Sequence, residues 1–165
     1  MPKLVKNGQL GDDTTVVVTD ASMLTDAVVE SADFVVSLDL YNQLLSEAPE
    51  KAAKAGLLLN GDQDPASVKQ LVKQVSLICI EFPVFTDGRG FSLARMIRDH
   101  FDYTGELRAT GAFIQDQLFF LKRCGFSSFV VADETKLESA IQSLNDFTDC
   151  YQAAADEPQP LYRRR

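Results

Sequence analysis

Apolar residues recur along the chain in short runs that alternate with segments of helical spacing. The run at residues 75–82, VSLICIEF, is nearly continuous, which is typical of a strand that is covered on both faces. The β-branched, apolar run at 33–39 and the short run at 55–60 are also predicted strands. Residues 106–111 and 126–133 complete a set of five predicted strands.

A helical segment is predicted after each of these strands. Asp64 and Pro65 are expected to open the second helix, because Asp is a good N-cap and Pro suits the first helical position. Pro49 interrupts the first helix, and Gly125 is a suitable residue just after the end of the fourth. The helices are predicted at residues 40–55, 64–74, 91–101, 114–124 and 134–151.

The N-terminal part of the chain does not follow this rhythm. Two short segments, Lys3–Lys6 and Thr14–Thr19, have the composition of strands, and the strong turn signal Asn7-Gly8 lies between them. A hairpin or an edge addition to the main sheet is therefore predicted within an N-terminal extension of residues 1–32.

Five consecutive strand–helix units predict an α/β fold with a mostly parallel sheet and right-handed crossovers. The pattern leaves two architectures open, an open doubly wound sheet and a partial barrel with curved strands. Residues 1–152 form one predicted domain, since 165 residues suffice for a single core. Residues 153–165 form a Pro-containing tail that is expected to be flexible and that ends in three arginines.

The charge of the chain limits the choice of partner. The net charge of −8 argues against nucleic acid, because phosphate binding needs a basic surface. Every arginine lies at or after Arg89, so bidentate anion-binding side chains are concentrated in the middle of the chain and the tail. A small anion is therefore a candidate ligand for the central stretch.

The cysteines Cys79, Cys124 and Cys150 are far apart and form no CxxC or CxxH motif. Since the chain has a single His, neither a metal site nor an iron–sulfur cluster is expected, and no cofactor is predicted. Cys79 is expected to be a small core residue. The N-terminus has no apolar signal segment and no run approaches membrane-spanning length, so a cytoplasmic protein without a membrane partner is predicted.

The Gly-rich loop after residues 75–82 is the richest candidate site. Asp87, Gly88, Arg89 and Gly90 precede a helix, and Ser92 adds a hydroxyl group. The two glycines allow a close backbone approach, while the free N–H groups at the helix start favour an anion. The alternative is a tight turn in which Asp87 or Ser92 caps the helix and Arg89 faces solvent.

Glu81, Arg108 and Gln117 extend this candidate site to the neighbouring strand. Ligands of parallel sheets bind at the carboxyl ends of the strands, and Glu81 lies at such an end. Arg108 on the next strand is its predicted ion-pair partner if both side chains point the same way. Glu81 and Asp87 are the candidate catalytic residues, and Gln117 is a candidate ligand donor. Because no nucleophile accompanies them, this corner indicates recognition more than catalysis.

The segments DGRGFS, ELRATG and DQLFFLKRCGF, with the ending PLYRRR, resemble a bacterial domain family of unknown function. The segment SLDLYNQLL matches more loosely. Members of that family are commonly encoded beside the haemoprotein subunit of assimilatory sulfite or nitrite reductase and are often labelled probable oxidoreductases. The resemblance implies a role in sulfur assimilation, with that reductase as a partner, and it brings no agreed catalytic residues.

Three functional hypotheses follow. The leading one is an accessory protein of sulfite reduction that binds the reductase haemoprotein or a small oxyanion. The alternative is a small barrel-like enzyme or oxidoreductase that acts on an anionic substrate at the strand ends, with Glu81 as acid or base. A flavin or nucleotide binder on an open sheet is the third. Whether the protein is an enzyme stays open, as does its oligomeric state, a homodimer included.

Overall fold

The computed structural model describes residues 2–31 and 33–164. These residues form eight strands and seven α-helices. The strands are β1 (Lys3–Lys6), β2 (Gln9–Asp12), β3 (Val16–Val18), β4 (Phe34–Ser37), β5 (Gly56–Asn60), β6 (Leu77–Phe82), β7 (Glu106–Gly111) and β8 (Ser128–Val131). The helices are α1 (Asp26–Ser31), α2 (Leu38–Glu47), α3 (Pro49–Ala52), α4 (Pro65–Leu71), α5 (Arg89–Asp99), α6 (Leu118–Arg123) and α7 (Leu137–Ser143).

All eight strands belong to one sheet with the order β2-β1-β8-β7-β6-β5-β4-β3. The strands from β3 to β8 are parallel and lie side by side in chain order, while β1 pairs antiparallel with both β2 and β8. The α/β fold with a mostly parallel sheet is therefore confirmed. The predicted count of five units is not matched, because the parallel part has six strands.

The sheet is curled into a half-barrel, and the length of one linker explains why. β2 and β3 occupy opposite edges of the sheet, yet only residues 13–15 connect them. In a flat sheet, seven interstrand spacings would separate these edges by about 34 Å. The four Cα–Cα steps from Asp12 to Val16 span at most about 15 Å. The two edges must therefore approach each other, which excludes the open doubly wound alternative.

The two faces of the half-barrel differ in what covers them. Since each parallel strand follows its neighbour in chain order, right-handed connections place the helices on one face. That convex face carries the large apolar core, to which helices and alternate strand residues contribute. The concave face has a small apolar cluster formed by Val35, Leu77 and Cys79, with Leu58 packed against it. Cys79 is buried, as predicted, but on this concave face.

The N-terminal prediction needs a correction. The turn at Asn7-Gly8 does form a hairpin, with positive φ at both residues, but it joins β1 to β2 and not to the Val16–Val18 strand. β3 pairs parallel with β4 and so begins the parallel series. β2 was missed because its residues, QLGD, are all exposed and show no apolar alternation.

The helix predictions are confirmed in their order and differ in length. Asp64 caps α4, its carboxylate accepting a hydrogen bond from the backbone N–H of Ala66 at 3.1 Å. The last predicted helix, residues 134–151, is in fact a 3-10 turn followed by α7, which ends at Ser143. It ends early because the polar residues after it serve the neighbouring helix: Asn145 accepts a hydrogen bond from Lys122.

Residues 151–164 pack in part against α6. The backbone N–H of Ala155 donates to the carbonyl of Arg123 at 3.1 Å, and the Arg123 side chain pairs with Asp156 at 3.0 Å. Arg164 donates to the carbonyl of Cys150 at 2.6 Å. The domain boundaries and the flexibility of the tail stay predictions. No helix in the described ranges is long and apolar enough to cross a lipid bilayer.

Arg108 of β7 anchors the linker to the concave face. Its side chain is only 3% exposed, and its Nη1 donates to the carboxylate of Asp13 at 3.1 Å and to the hydroxyl of Thr15. Asp13 also accepts the backbone N–H of Thr15 at 3.2 Å, which shapes the linker itself. One buried guanidinium thus connects the middle of the sheet to the segment that joins its two edges.

Replacing Arg108 by Met is expected to lower the free energy of unfolding by about 3–5 kcal/mol, because it removes the guanidinium that neutralises the buried Asp13 carboxylate and one of the two cations that pair with Glu106. Chemical denaturation followed by circular dichroism measures this change. Arg163→Met is the matched control, since Arg163 is exposed and substitutions at exposed sites usually change stability by at most about 0.5 kcal/mol. Equal losses in the two variants would contradict the anchoring role of Arg108.

Candidate functional site

Three polar side chains lie in a row at the carboxyl ends of neighbouring strands. Glu81 of β6 stands opposite Asn60 of β5 on one side and Thr110 of β7 on the other. Strand alternation places all three on the concave face, together with Cys79 and Arg108. The carboxylate of Glu81 is exposed, whereas Asn60 and Thr110 are half-buried. Glu81 therefore lies where the strand-end rule predicted it.

The Gly-rich loop forms a closed ion-paired turn. The Asp87 carboxylate accepts three hydrogen bonds from Arg89, from its backbone N–H at 3.1 Å, its Nε at 2.9 Å and its Nη2 at 2.7 Å. Arg89 Nη1 pairs with Asp62, which follows β5. The backbone N–H and the guanidinium of Arg89, at the start of α5, thus both contact the Asp87 carboxylate.

The glycines of this loop have different surroundings. Gly88 precedes α5 and has open space around it, whereas Gly90 is buried in the first turn. A Cβ at Gly90 would lie 2.8 Å from the Phe82 ring, so this glycine allows the helix to pack closely on β6. Ser92 is exposed. The binding roles predicted for these residues stay predictions.

The charge of this corner does not favour an anion. Glu81, Asp62 and Asp87 contribute three carboxylates, and Arg89 is the guanidinium that pairs with two of them. The predicted Glu81–Arg108 ion pair, which would have added a second cation, is not formed among the described residues. Arg108 instead pairs with Glu106 at 2.7 Å and with Asp13 at 3.1 Å, because both carboxylates lie nearer the start of β7.

Glu106 is the centre of a polar cluster at the beginning of β7. Its carboxylate accepts hydrogen bonds from Arg108 Nη2 at 2.7 Å, Lys6 Nζ at 2.5 Å and the Ser128 hydroxyl at 2.6 Å. Burial acts to raise the pKa of Glu106, but these three donors outweigh burial and hold it below its usual value of 4.5. The cluster stabilises a carboxylate that is already fully hydrogen-bonded, which indicates a structural role.

Gln117 links two loops at the carboxyl end of the sheet. Its Nε2 donates to the carbonyl of Phe85 at 3.2 Å, and its Oε1 accepts the backbone N–H of Ile114 at 3.1 Å. The loop after β6 is thereby held to the loop after β7. Both polar groups of the Gln117 side chain thus have protein partners, and its predicted role as a ligand donor stays a prediction.

Exposed apolar residues lie near Gln117. We call this group of residues, Val84, Phe85, Ile114 and Phe120, the apolar patch; its members are 47–57% exposed. Gln117 hydrogen-bonds the backbone of Phe85 and Ile114, and Phe120 lies one helical turn further along. Sequence reasoning missed this surface, although the apolar pair Val84-Phe85 next to a Gly-containing turn was the available signal.

The cysteines and the acidic side chains offer little for metal or nucleophilic chemistry. Burial raises the pKa of the Cys79 thiol to about 12 and that of Cys124 to about 11, so both stay protonated at neutral pH. Among the residues that the structure describes, no group of three or more His, Cys, Asp or Glu side chains is placed to hold a metal ion. The absence of a cofactor stays a prediction.

The lowered pKa of Glu106 predicts an acid-dependent stability. Because the folded pKa lies below 4.5, the stabilisation is complete above that pH and is lost as the pH falls below 4.5 through the folded value. The free energy of unfolding of the wild-type protein is therefore expected to exceed that of Glu106→Gln at neutral pH. This gap in free energy should narrow below pH 4.5. Urea denaturation at a series of pH values measures the gap. A gap that stayed constant through the acid range would contradict this role, and the exposed Glu81→Gln is the control.

Comparison with known proteins agrees with the position of these elements. The model of a family described as "Bacterial protein of unknown function (DUF934)" matches residues 56–162, which include β5 to β8 and the whole candidate site. A search of curated proteins gave no match. Since the family match spans well over half of the 165 residues, the chain belongs to this DUF934 family of bacterial proteins of unknown function.

Proposed function

We propose that the protein is an accessory protein of assimilatory sulfite reduction that acts by binding a partner, the haemoprotein subunit of the reductase. The apolar patch is the observation that supports binding of a partner protein as the mode of action. The resemblance of the DGRGFS, ELRATG and DQLFFLKRCGF segments supplies the process and the partner. The cytoplasm is the compartment that this role requires.

The apolar patch has the features of a protein interface. Single exposed apolar residues are common on protein surfaces, whereas several that lie close to one another are typical of an interaction site. Two of its four members are Phe, and aromatic residues are enriched in the buried centres of interfaces. The ion-paired turn formed by Asp87, Arg89 and Asp62 lies at the same end of the sheet, after β5 and β6, and supplies a polar margin.

Packing beneath the apolar patch makes it rigid. The Phe120 ring lies 5.1 Å from the Phe91 ring, and Phe91 lies 5.1 Å from the buried Phe82 ring of β6. Gln117 fixes the two loops relative to each other. A pre-organised surface loses little conformational entropy on association, so these contacts favour recognition of a folded partner.

The arrangement of the charged groups favours recognition over catalysis. Arg89 donates hydrogen bonds to the Asp87 carboxylate, and Arg108 forms ion pairs with Glu106 and Asp13. Groups that perform acid–base chemistry need a pKa near the working pH and a free approach for the substrate. The Asp87–Arg89 pair instead holds the loop next to the apolar patch, and the Arg108 pairs hold the linker of residues 13–15 near the start of β7.

Phe85→Asp and Phe120→Asp are expected to weaken binding to the purified reductase haemoprotein at least tenfold, because each places a charge in the buried centre of the interface. Isothermal titration calorimetry measures the affinity, and recovery of the haemoprotein from sulfate-grown cells on immobilised protein provides a second assay. Tyr162→Asp is the matched control, since Tyr162 is 61% exposed and lies in the tail. Absence of binding by the wild-type protein, or an equal loss in the control, would overturn the proposal.

A second candidate function is a small enzyme that acts on an anionic substrate at the strand ends. The row Asn60–Glu81–Thr110 favours it, because an exposed carboxylate there stands between two hydrogen-bonding side chains. Turnover of sulfite in the presence of an electron donor, abolished by Glu81→Gln and retained by Glu138→Gln, would support this alternative. Turnover that survived Glu81→Gln would reject it.

A further inference from the structure

A cavity of about 660 Å³ lies at the opposite end of the strands from the apolar patch. It opens between the hairpin turn at Asn7, the beginnings of β7 and β8, and the end of α5. A second cavity of about 340 Å³ adjoins it and shares Asn7, Lys122, Phe126 and Ser127. Sequence reasoning did not consider this end of the sheet, because ligands of parallel sheets are expected at the carboxyl ends.

The charges that line the larger cavity are unevenly compensated. Its cations are Lys6, Arg98 and Lys122, and its anions are Glu106 and Asp156. Glu106 already pairs with Lys6 and with Arg108, and Asp156 pairs with Arg123. Among the described residues, Arg98 and Lys122 have no carboxylate partner. The cavity thus presents uncompensated positive charge in a protein whose net charge is −8.

Arg98 is held in place by neutral acceptors only. Its Nε donates to the carbonyl of Gly125 at 2.9 Å, and its Nη1 donates to the carbonyls of Tyr103 at 2.6 Å and Gly105 at 2.9 Å. Gly125 has a φ of 103°, and a Cβ there would lie 2.5 Å from Arg98 Cγ, so the glycine permits this approach. Nη2 has no hydrogen-bond partner among the described residues and remains available as a donor.

Burial makes this guanidinium a favourable site for an anion. Desolvation lowers the pKa of Arg98, which means that the surroundings do not fully stabilise its charge. Lys122 lines both cavities, and its Nζ donates to the carbonyl of Leu144 and to the Asn145 side chain of the adjoining cavity, both at 3.1 Å. An anion between the two cations would supply the missing countercharge and would form charge-assisted hydrogen bonds.

We propose that this cavity binds a small molecule that carries an oxyanion group, such as a phosphate or a sulfate, between Arg98 and Lys122. The cavity is wide and open to solvent, and an inorganic oxyanion alone would fill only a small part of it. The hydroxyl of Thr104 and the amide of Asn7 line the remainder and can bind a polar body. This inference does not depend on the proposed function, whose surface lies at the other end of the sheet.

Titration with inorganic phosphate and with phenyl phosphate, followed by two-dimensional amide NMR, tests the proposal. Saturable shifts are expected at Asn7, Gly105 and Gly125, which surround the cavity. Tighter binding of phenyl phosphate would identify an ester of an organic molecule as the ligand class, and equal binding would identify the free oxyanion.

Lys122→Gln is expected to weaken this binding roughly tenfold, because it removes one charge-assisted hydrogen bond. Lys122→Arg should retain the affinity, and Lys54→Gln is the charge-matched control, since Lys54 is exposed and does not line this cavity. Thermal unfolding of each variant verifies that it is folded. Absence of saturable shifts with both probes, or equal weakening in Lys122→Gln and Lys54→Gln, would overturn the proposal.

Discussion

The curled sheet depends on one buried ion-paired guanidinium. Arg108 stands in the middle of β7 on the concave face and holds Asp13 of the linker and Glu106 of its own strand. The linker has only three residues between the two edge strands, so it must cross the concave face at close range. A buried charge in this position is costly without partners, and removing Arg108 leaves the Asp13 carboxylate without this cation while Glu106 keeps Lys6. The half-barrel therefore requires Arg108 together with its carboxylate partners Asp13 and Glu106.

This constraint also determines where the protein can interact with other molecules. Both arginines of the predicted anion site form ion pairs within the protein, Arg108 with Asp13 of the linker and Arg89 with Asp87 and Asp62. The surfaces that remain available are the apolar patch at the carboxyl ends of β6 and β7 and the cationic cavity at the beginnings of β7 and β8. The two lie at opposite ends of the same strands, so the two proposed binding sites do not overlap. The half-barrel is the rigid frame between them.

The sequence allowed the parallel units to be predicted because buried strands and helix starts leave local signals. The apolar run at 75–82 became β6, and Asp64 with Pro65 did open a helix. The partner of Arg108 left no such signal, since Asp13 is 95 residues away and the curl of the sheet brings it close. The same is true of Asp62, which reaches Arg89 across 27 residues and makes the predicted anion corner acidic. Local composition thus predicted the elements and the strand-end positions, whereas the charge balance of the site depended on long-range contacts.

A double-mutant cycle between Arg108 and Asp13 tests the central claim most directly. The free energies of unfolding of Arg108→Met, Asp13→Asn and the double variant are compared with that of the wild-type protein. If the guanidinium holds the linker, the double variant should lose less stability than the two single variants together, with a coupling of more than about 1 kcal/mol. If the two single losses of unfolding free energy add up to that of the double variant within about 0.5 kcal/mol, the two residues act independently. That result would contradict the conclusion that Arg108 holds the linker of the half-barrel.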